Sequence, residues 1–195
     1  MSMTQVIRPP YLKGSVTEDD FRSPEQASAD EFKNVFRNHP GGVALITADD
    51  GNGPVALTAT SVFSISVDPP LLGFSASAIS SSTPTLLQAD TVVVHFLTDE
   101  NLAVAKLGAT SGIDRFADTS IWGRLETGEP YFHGVKTWVR GEIVSRLETA
   151  GGILHVVRGL STSIAEGPAE DDSNPIAYVN RTWHALTQGS SLPAN

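Results

Sequence analysis

The 195-residue chain carries a formal net charge of −9 and contains no cysteine. So acidic a sequence lacks the basic face that nucleic-acid phosphates require, and without thiols it has no disulfides, Cys-ligated metals or thiol nucleophiles. No stretch approaches the ~20 apolar residues of a membrane span, and the N-terminus has no signal-peptide core, which predicts a soluble cytoplasmic protein with no membrane partner.

Residues 1–28, with Pro9-Pro10 and Glu18-Asp19-Asp20, show no sustained period and read as an arm, either disordered or packed across a partner subunit. A helix is predicted over 30–39, where Phe32, Val35 and Phe36 share one face, and His39-Pro40-Gly41-Gly42 ends it. A short buried strand (43–47) and a turn cluster (49–54) lead to an antiparallel return from Val55. That return turns polar at Thr58, Thr60 and Ser61, resumes over 63–67, stops at Asp68-Pro69-Pro70 and restarts over 71–74. Pro84, preceded by Ser and Thr, suits the first turn of a helix over 85–89. A strand over 92–97 precedes a helix over 100–107, capped by Thr98-Asp99 and closed by Gly108. The rest reads as β: 122–125, 135–147 with a bend at Gly141, 153–160, and a hairpin of 176–179 and 183–186 around Asn180-Arg181. An acidic loop (166–175) interrupts it, and a loose tail (188–195) follows. Short antiparallel strands with few helices predict one mainly β domain over 29–187, a closed or nearly closed barrel.

Two clusters are candidates for ligand binding. Thr58, Ala59, Thr60 and Ser61 place hydroxyls at a strand end, where they hold a ligand or exchange ladder bonds for side-chain bonds. Ser80, Ser81, Ser82 and Thr83 before Pro84 suit an anion or a helix cap. Of the five histidines, His95 and His155 lie in apolar strands and read as interior hydrogen-bonded groups. With no metal-ligand spacing, nucleophile elbow, dinucleotide fingerprint or carboxylate dyad, no catalytic side chain is identified. A cofactor that carries its own reactivity is the remaining route to catalysis.

The run Thr58-Ala-Thr-Ser-Val-Phe-Ser-Ile-Ser-Val-Asp-Pro-Pro-Leu71 resembles the T-x-N/S-S-F-x-S-V-S-x-D-P-P-L signature of the flavin reductase-like family. Ser80-Ser81-Ser82-Thr83-Pro84 is similar to its phosphate segment, Asp114-Arg115-Phe116-Ala117 to its D-R/K-F-A motif, and Pro175 to Trp183 to its closing hairpin. The resemblance implies an FMN-binding split β-barrel, antiparallel and Greek-key-like, forming a homodimer with FMN or FAD near the interface. Thr58, Ala59, Thr60 and Ser61, with Ser75, would line the flavin ring and ribityl chain. Ser80, Ser81 and Ser82 would hold the phosphate, and Arg115 and Phe116 would approach the flavin from this or the neighbouring subunit. Family members oxidise NADH or NADPH and pass reduced flavin to a partner monooxygenase. The chain departs from the pattern at three places. Ala78 or Ile79 stands where a basic residue precedes the phosphate hydroxyls, Ala150-Gly151-Gly152 replaces G-D-H, and His95 replaces an asparagine. Two alternatives stay open: a non-catalytic flavin carrier, and an altered pocket that binds haem through His95 or His155.

Overall fold

The computed structural model describes residues 25–164 and 173–193. Residues 1–24 of the expected arm and 166–172 of the expected acidic loop (166–175) lie outside the described residues. Helix α1 (Ala29–Arg37) begins at a capping box in which Ser28 Oγ accepts from the Glu31 amide and the Glu31 carboxylate accepts from the Ser28 amide. Its apolar face is present but uncovered: Phe32, Val35 and Phe36 are all exposed.

Strands β2 (Ala44–Asp49), β3 (Pro54–Ala59), β4 (Phe63–Ser66), β5 (Leu71–Ser77), β6 (Thr91–Phe96), β9 (Trp138–Thr149) and β10 (Gly152–Ser163) form one antiparallel sheet in the order β3-β2-β6-β9-β10-β5-β4. Its two edge strands, β3 and β4, are consecutive in the chain and joined by residues 60–62 alone. Such a link spans at most ~14 Å, whereas the edges of a flat seven-stranded sheet stand ~29 Å apart. The sheet therefore curls until its edges nearly meet. They are not hydrogen-bonded to each other, so the result is a split barrel whose seam is residues 60–62.

The barrel interior holds Ala44, Ile46, Phe74, Val92, Val94 and Val157, with helix α2 (Thr83–Gln88) supplying Leu86. Strand β2 is buried on both faces, which is why Ala44, Leu45, Ile46 and Ala48 are all apolar and the one buried polar residue among them, Thr47, donates its hydroxyl to Pro130 O. Its alternate residue Leu45 joins a second cluster with Leu97, Ala105, Phe116, Phe132 and Ile176. That layer is built by α3 (Leu102–Ala109), the hairpin β7 (Trp122–Arg124)–β8 (Pro130–Phe132), and a three-stranded sheet of β1 (Gly41–Gly42), β11 (Ile176–Val179) and β12 (Thr182–Ala185). No helix among the described residues is long and apolar enough to cross a membrane.

Several expectations change. Residues 99–101 form a 3-10 turn rather than the start of α3, and Gly108 lies inside α3 instead of closing it. Gly108 is needed for contact: a Cβ there would stand 2.2 Å from Leu45 Cδ1 and 2.3 Å from Thr58 Oγ1, so α3 can seat on the sheet only without a side chain at that point. Strand β8 escaped notice because three residues beginning with proline carry no period. Residues 188–190 form a 3-10 turn within the expected tail. Strand β9 runs through Gly141, and one of the two register shifts of the β9–β10 pair falls there, between Gly159 opposite Gly141 and Ser161 opposite Arg140; the other skips Val144 of β9 opposite Val156/Val157.

Candidate functional site

The seam positions the first group of candidates. Ser61 bridges it: its Oγ donates to Ser75 O at 3.1 Å and accepts from the Ser75 amide at 3.0 Å. One hydroxyl thus does for β5 what a ladder partner would do, and Ser75 itself stays exposed. Thr60 is also exposed, packed beside Gly41. Thr58 and Ala59 do not share this position. The Thr58 hydroxyl donates to Ala105 O at 2.7 Å and ties β3 to α3. Ala59 is buried in the barrel core. Neither side chain presents a free polar group.

The second group divides in the same way. Ser82 is 1% exposed and its hydroxyl donates to Ala56 O at 2.8 Å, so it anchors the start of α2 to β3 and is not offered to an anion. Ser80 Oγ accepts from the Ser82 amide at 3.3 Å. Ser81 faces solvent, and Arg115 Nη1 lies 3.4 Å from its Oγ. The guanidinium is held by a 2.7 Å bond from Nη2 to Thr110 O, while its Nε is buried without a partner among the described residues. Ala78 and Ile79 are exposed and uncharged, yet the segment does have a cation, brought by Arg115 of the same chain from 34 residues away. A guanidinium held by Thr110 O and bonded to an exposed serine hydroxyl fits a phosphate.

Phe116 lies in the second core cluster. It is 7% exposed and packs edge-on against Trp122 at 4.8 Å, with Phe132 at 5.6 Å. The motif thus places one residue at the surface and one in the second core cluster, and the Asp114 carboxylate fixes the turn by accepting from the Phe116 amide at 2.9 Å.

The haem reading does not survive. His95 is fully buried, and its Nε2 accepts from the Phe132 amide at 3.2 Å. Nδ1 therefore carries the proton and donates to Leu45 O at 3.0 Å. Burial pushes this imidazole down to about 4, against the raising effect of its carbonyl partners. His155 is equally buried, bonded to Ile153 O and stacked on Phe74 at 4.6 Å. Burial, reinforced by Arg146, lowers its pKa. Neither ring offers a nitrogen at a surface that haem could approach.

A cleft of about 710 Å³ opens at the seam beside Thr60 and Ser61, with α1 on one side and the β11–β12 hairpin on the other. Its Lys33, Arg37, Tyr178 and Arg181 were not among the sequence candidates. The one local signal was Arg181 at a hairpin turn position that favours glycine. At the far end of β10, a Cβ on Gly152 would fall 2.4 Å from Ala76 O, so this position excludes any side chain, and Gly151 lies open in the turn.

Comparison with known proteins places the chain in a family. Residues 36–187 match the family model described as flavin reductase like domain. The chain is 38% identical over 160 residues to an NADH:FMN oxidoreductase of Rhodococcus qingshengii, covering 82% of each chain. It is 33% identical over 110 residues to the reductase component of a flavin-dependent trigonelline monooxygenase of Acinetobacter baylyi, covering 55% of this chain and 35% of that one. Its fold is similar to the crystal structure of a flavin reductase domain protein from Arthrobacter sp. FB24, with a TM-score of 0.76 at 28% identity over 86% of this chain and 98% of the other. The chain belongs to the flavin reductase-like family, whose domain it carries over residues 36–187.

Proposed function

We propose that this protein is an NADH:flavin oxidoreductase that takes FMN as its flavin. The observation that carries the reading is Arg115, whose Nη1 donates to the exposed Ser81 hydroxyl at 3.4 Å and whose Nη2 is fixed on Thr110 O, with Nε left unpartnered among the described residues. Ser80, Ser81 and Arg115 hold the phosphate. Thr60, Ser61 and Ser75 border the ring and ribityl chain along the seam. Thr58, Ala59, Ser82 and Phe116 shape the cradle from behind. Bound between these residues, FMN would supply the hydride-accepting chemistry, for which a reduced nicotinamide would be the donor. The chain's part is to orient the two rings and exclude water, because no acid or base side chain is needed for hydride transfer. FAD shares the FMN half and is the alternative flavin.

The similarity to a monooxygenase reductase component supports a role in supplying reduced flavin to a partner monooxygenase, in a reducing cytoplasm where a cysteine-free chain and a nicotinamide donor are both at home. A homodimer is part of the same reading. Phe63, Ile65, Phe96 and Leu160 are 39–48% exposed, and three of them (Phe63, Phe96, Leu160) line an apolar trough of about 510 Å³ on the outer sheet. A second copy is the partner that covers them. Light scattering on purified protein is expected to give twice the 20.7 kDa chain mass; a monomer at micromolar concentration would refute the dimer.

The function itself is tested in two steps. The protein as isolated, or after FMN addition, is expected to show a flavin spectrum with micromolar or tighter binding, and absence of binding ends the proposal. Anaerobic stopped-flow mixing with NADH should then bleach bound FMN faster than free FMN. If the rates are equal, the protein is a flavin carrier, the reading favoured by the missing side chains at Gly151 and Gly152.

A further inference from the structure

We infer that the seam cleft is the site for the pyrophosphate of the nicotinamide donor, held by Lys33, Arg37 and Arg181. The inference rests on the oxidoreductase reading above and adds to it the residues that take the donor. The chain has 22 acidic and 13 basic residues, yet the lining of this cleft contains those three cations and no Asp or Glu. The local sign is therefore opposite to that of the whole molecule, which is the arrangement that attracts a small anion to one place on an acidic protein. Among the described residues, Arg37 and Arg181 have no ion-pair partner. Among the described residues Lys33 has a single ion-pair contact, 3.5 Å to the highly exposed Asp30, which is outside the lining and offers little competition for a ligand phosphate.

The backbone adds a second observation. Asn180 and Arg181 have φ of 45° and 63°, the left-handed pair required by a two-residue hairpin turn. Asparagine tolerates that region, but at the second position glycine is the favoured residue and arginine is not. The turn is also fastened to the end of α1, because the Asn180 amide donates to Arg37 O at 2.8 Å. One hydrogen bond thus sets Arg37 and Arg181 on the same rim. A charged side chain held in a disfavoured backbone state at the mouth of a cleft points to binding rather than to folding.

Position selects the occupant. The floor of the cleft is Thr60 and Ser61, which border the flavin ring in the proposed function, whereas Ser81 and Arg115, at the phosphate end, do not line it. In the proposed pose the flavin phosphate would sit with Ser81 and Arg115, outside this lining. A separate dinucleotide entering over the ring is what places a pyrophosphate here, and the volume of about 710 Å³ is within the range of ligand sites.

The test is the R37Q/R181G pair, with FMN saturating. KM for NADH is expected to rise about tenfold or more, with kcat within about twofold. The Kd of NAD+, measured by calorimetry on the FMN-loaded protein, should rise by a similar factor. Oxidation of 1-benzyl-1,4-dihydronicotinamide, a hydride donor without phosphate, should be unchanged, as should FMN affinity. R181G alone carries the test if the pair folds poorly, because glycine suits the turn and the melting temperature should hold or rise. Unchanged NADH KM and NAD+ affinity, or equal impairment of the phosphate-free donor, overturn the inference. So does a selective loss of FAD relative to FMN affinity, which would assign the cleft to the FAD adenylate. Failure of the wild type to bind FMN, or to be reduced by NADH, is a failure of the oxidoreductase reading and is visible before any variant is made.

Discussion

Arg115→Ala should weaken FMN binding by roughly 10- to 100-fold, the value of one charge-assisted contact to a phosphate, while riboflavin affinity stays within about twofold. The difference arises because riboflavin lacks the phosphate and so never meets this guanidinium. Arg115 lies in an irregular segment after α3, but its position is not loose: Nη2 is bonded to Thr110 O at 2.7 Å, and Nη1 reaches Ser81. Holding the planar group in advance removes part of the ordering cost at the moment of binding. Arg115→Lys keeps the charge and loses the fork, so an intermediate loss is expected. Equal FMN affinity in wild type and the alanine variant, measured by fluorescence quenching, would place the phosphate elsewhere. A parallel loss of riboflavin binding would show that Arg115 acts by folding the segment.

The second large effect concerns His95 and acid. Its folded-state pKa of about 4 lies below the ordinary 6.5 because burial disfavours the imidazolium. The unfolded chain therefore binds the extra proton first as pH falls, and stability rises with pH across this window. The contribution is complete above about pH 6.5 and is lost progressively toward pH 4, amounting to about 3 kcal/mol. His95→Leu should abolish this part of the acid limb. It should also lower stability at pH 7.5 by about 2–4 kcal/mol, because the Phe132 amide and the Leu45 carbonyl lose their side-chain partner inside the second core cluster. Urea denaturation at pH 7.5 and pH 5 measures both. A variant whose stability falls with acid as steeply as wild type would show that another group dominates the window.

The positions of most strands were legible because each carries a local signature: β2 is a doubly buried, mostly apolar run, and the β11–β12 hairpin is announced by Asn180-Arg181. Strand β8 was not, since its three residues pair through the β7 turn and their burial depends on His95 and Thr47. The candidate site was legible as a set of segments rather than as a set of side chains. Thr58 and Ser61 look alike in sequence, yet one hydroxyl is engaged by Ala105 of α3 and the other by Ser75 of β5. Ser81 and Ser82 are adjacent, yet one faces solvent and the other is tied to Ala56.

Sequence alone determined the composition class, the antiparallel β character and, through the 58–71 signature, the family. Those properties reside in spacing over a few residues, which turn chemistry and period-2 burial express directly. Tertiary structure decided which hydroxyls are tied to the backbone, that Arg115 lies beside Ser81, and that α1 and the last hairpin enclose a basic cleft. Each of these depends on contacts between segments far apart in the chain. No local pattern encodes such contacts.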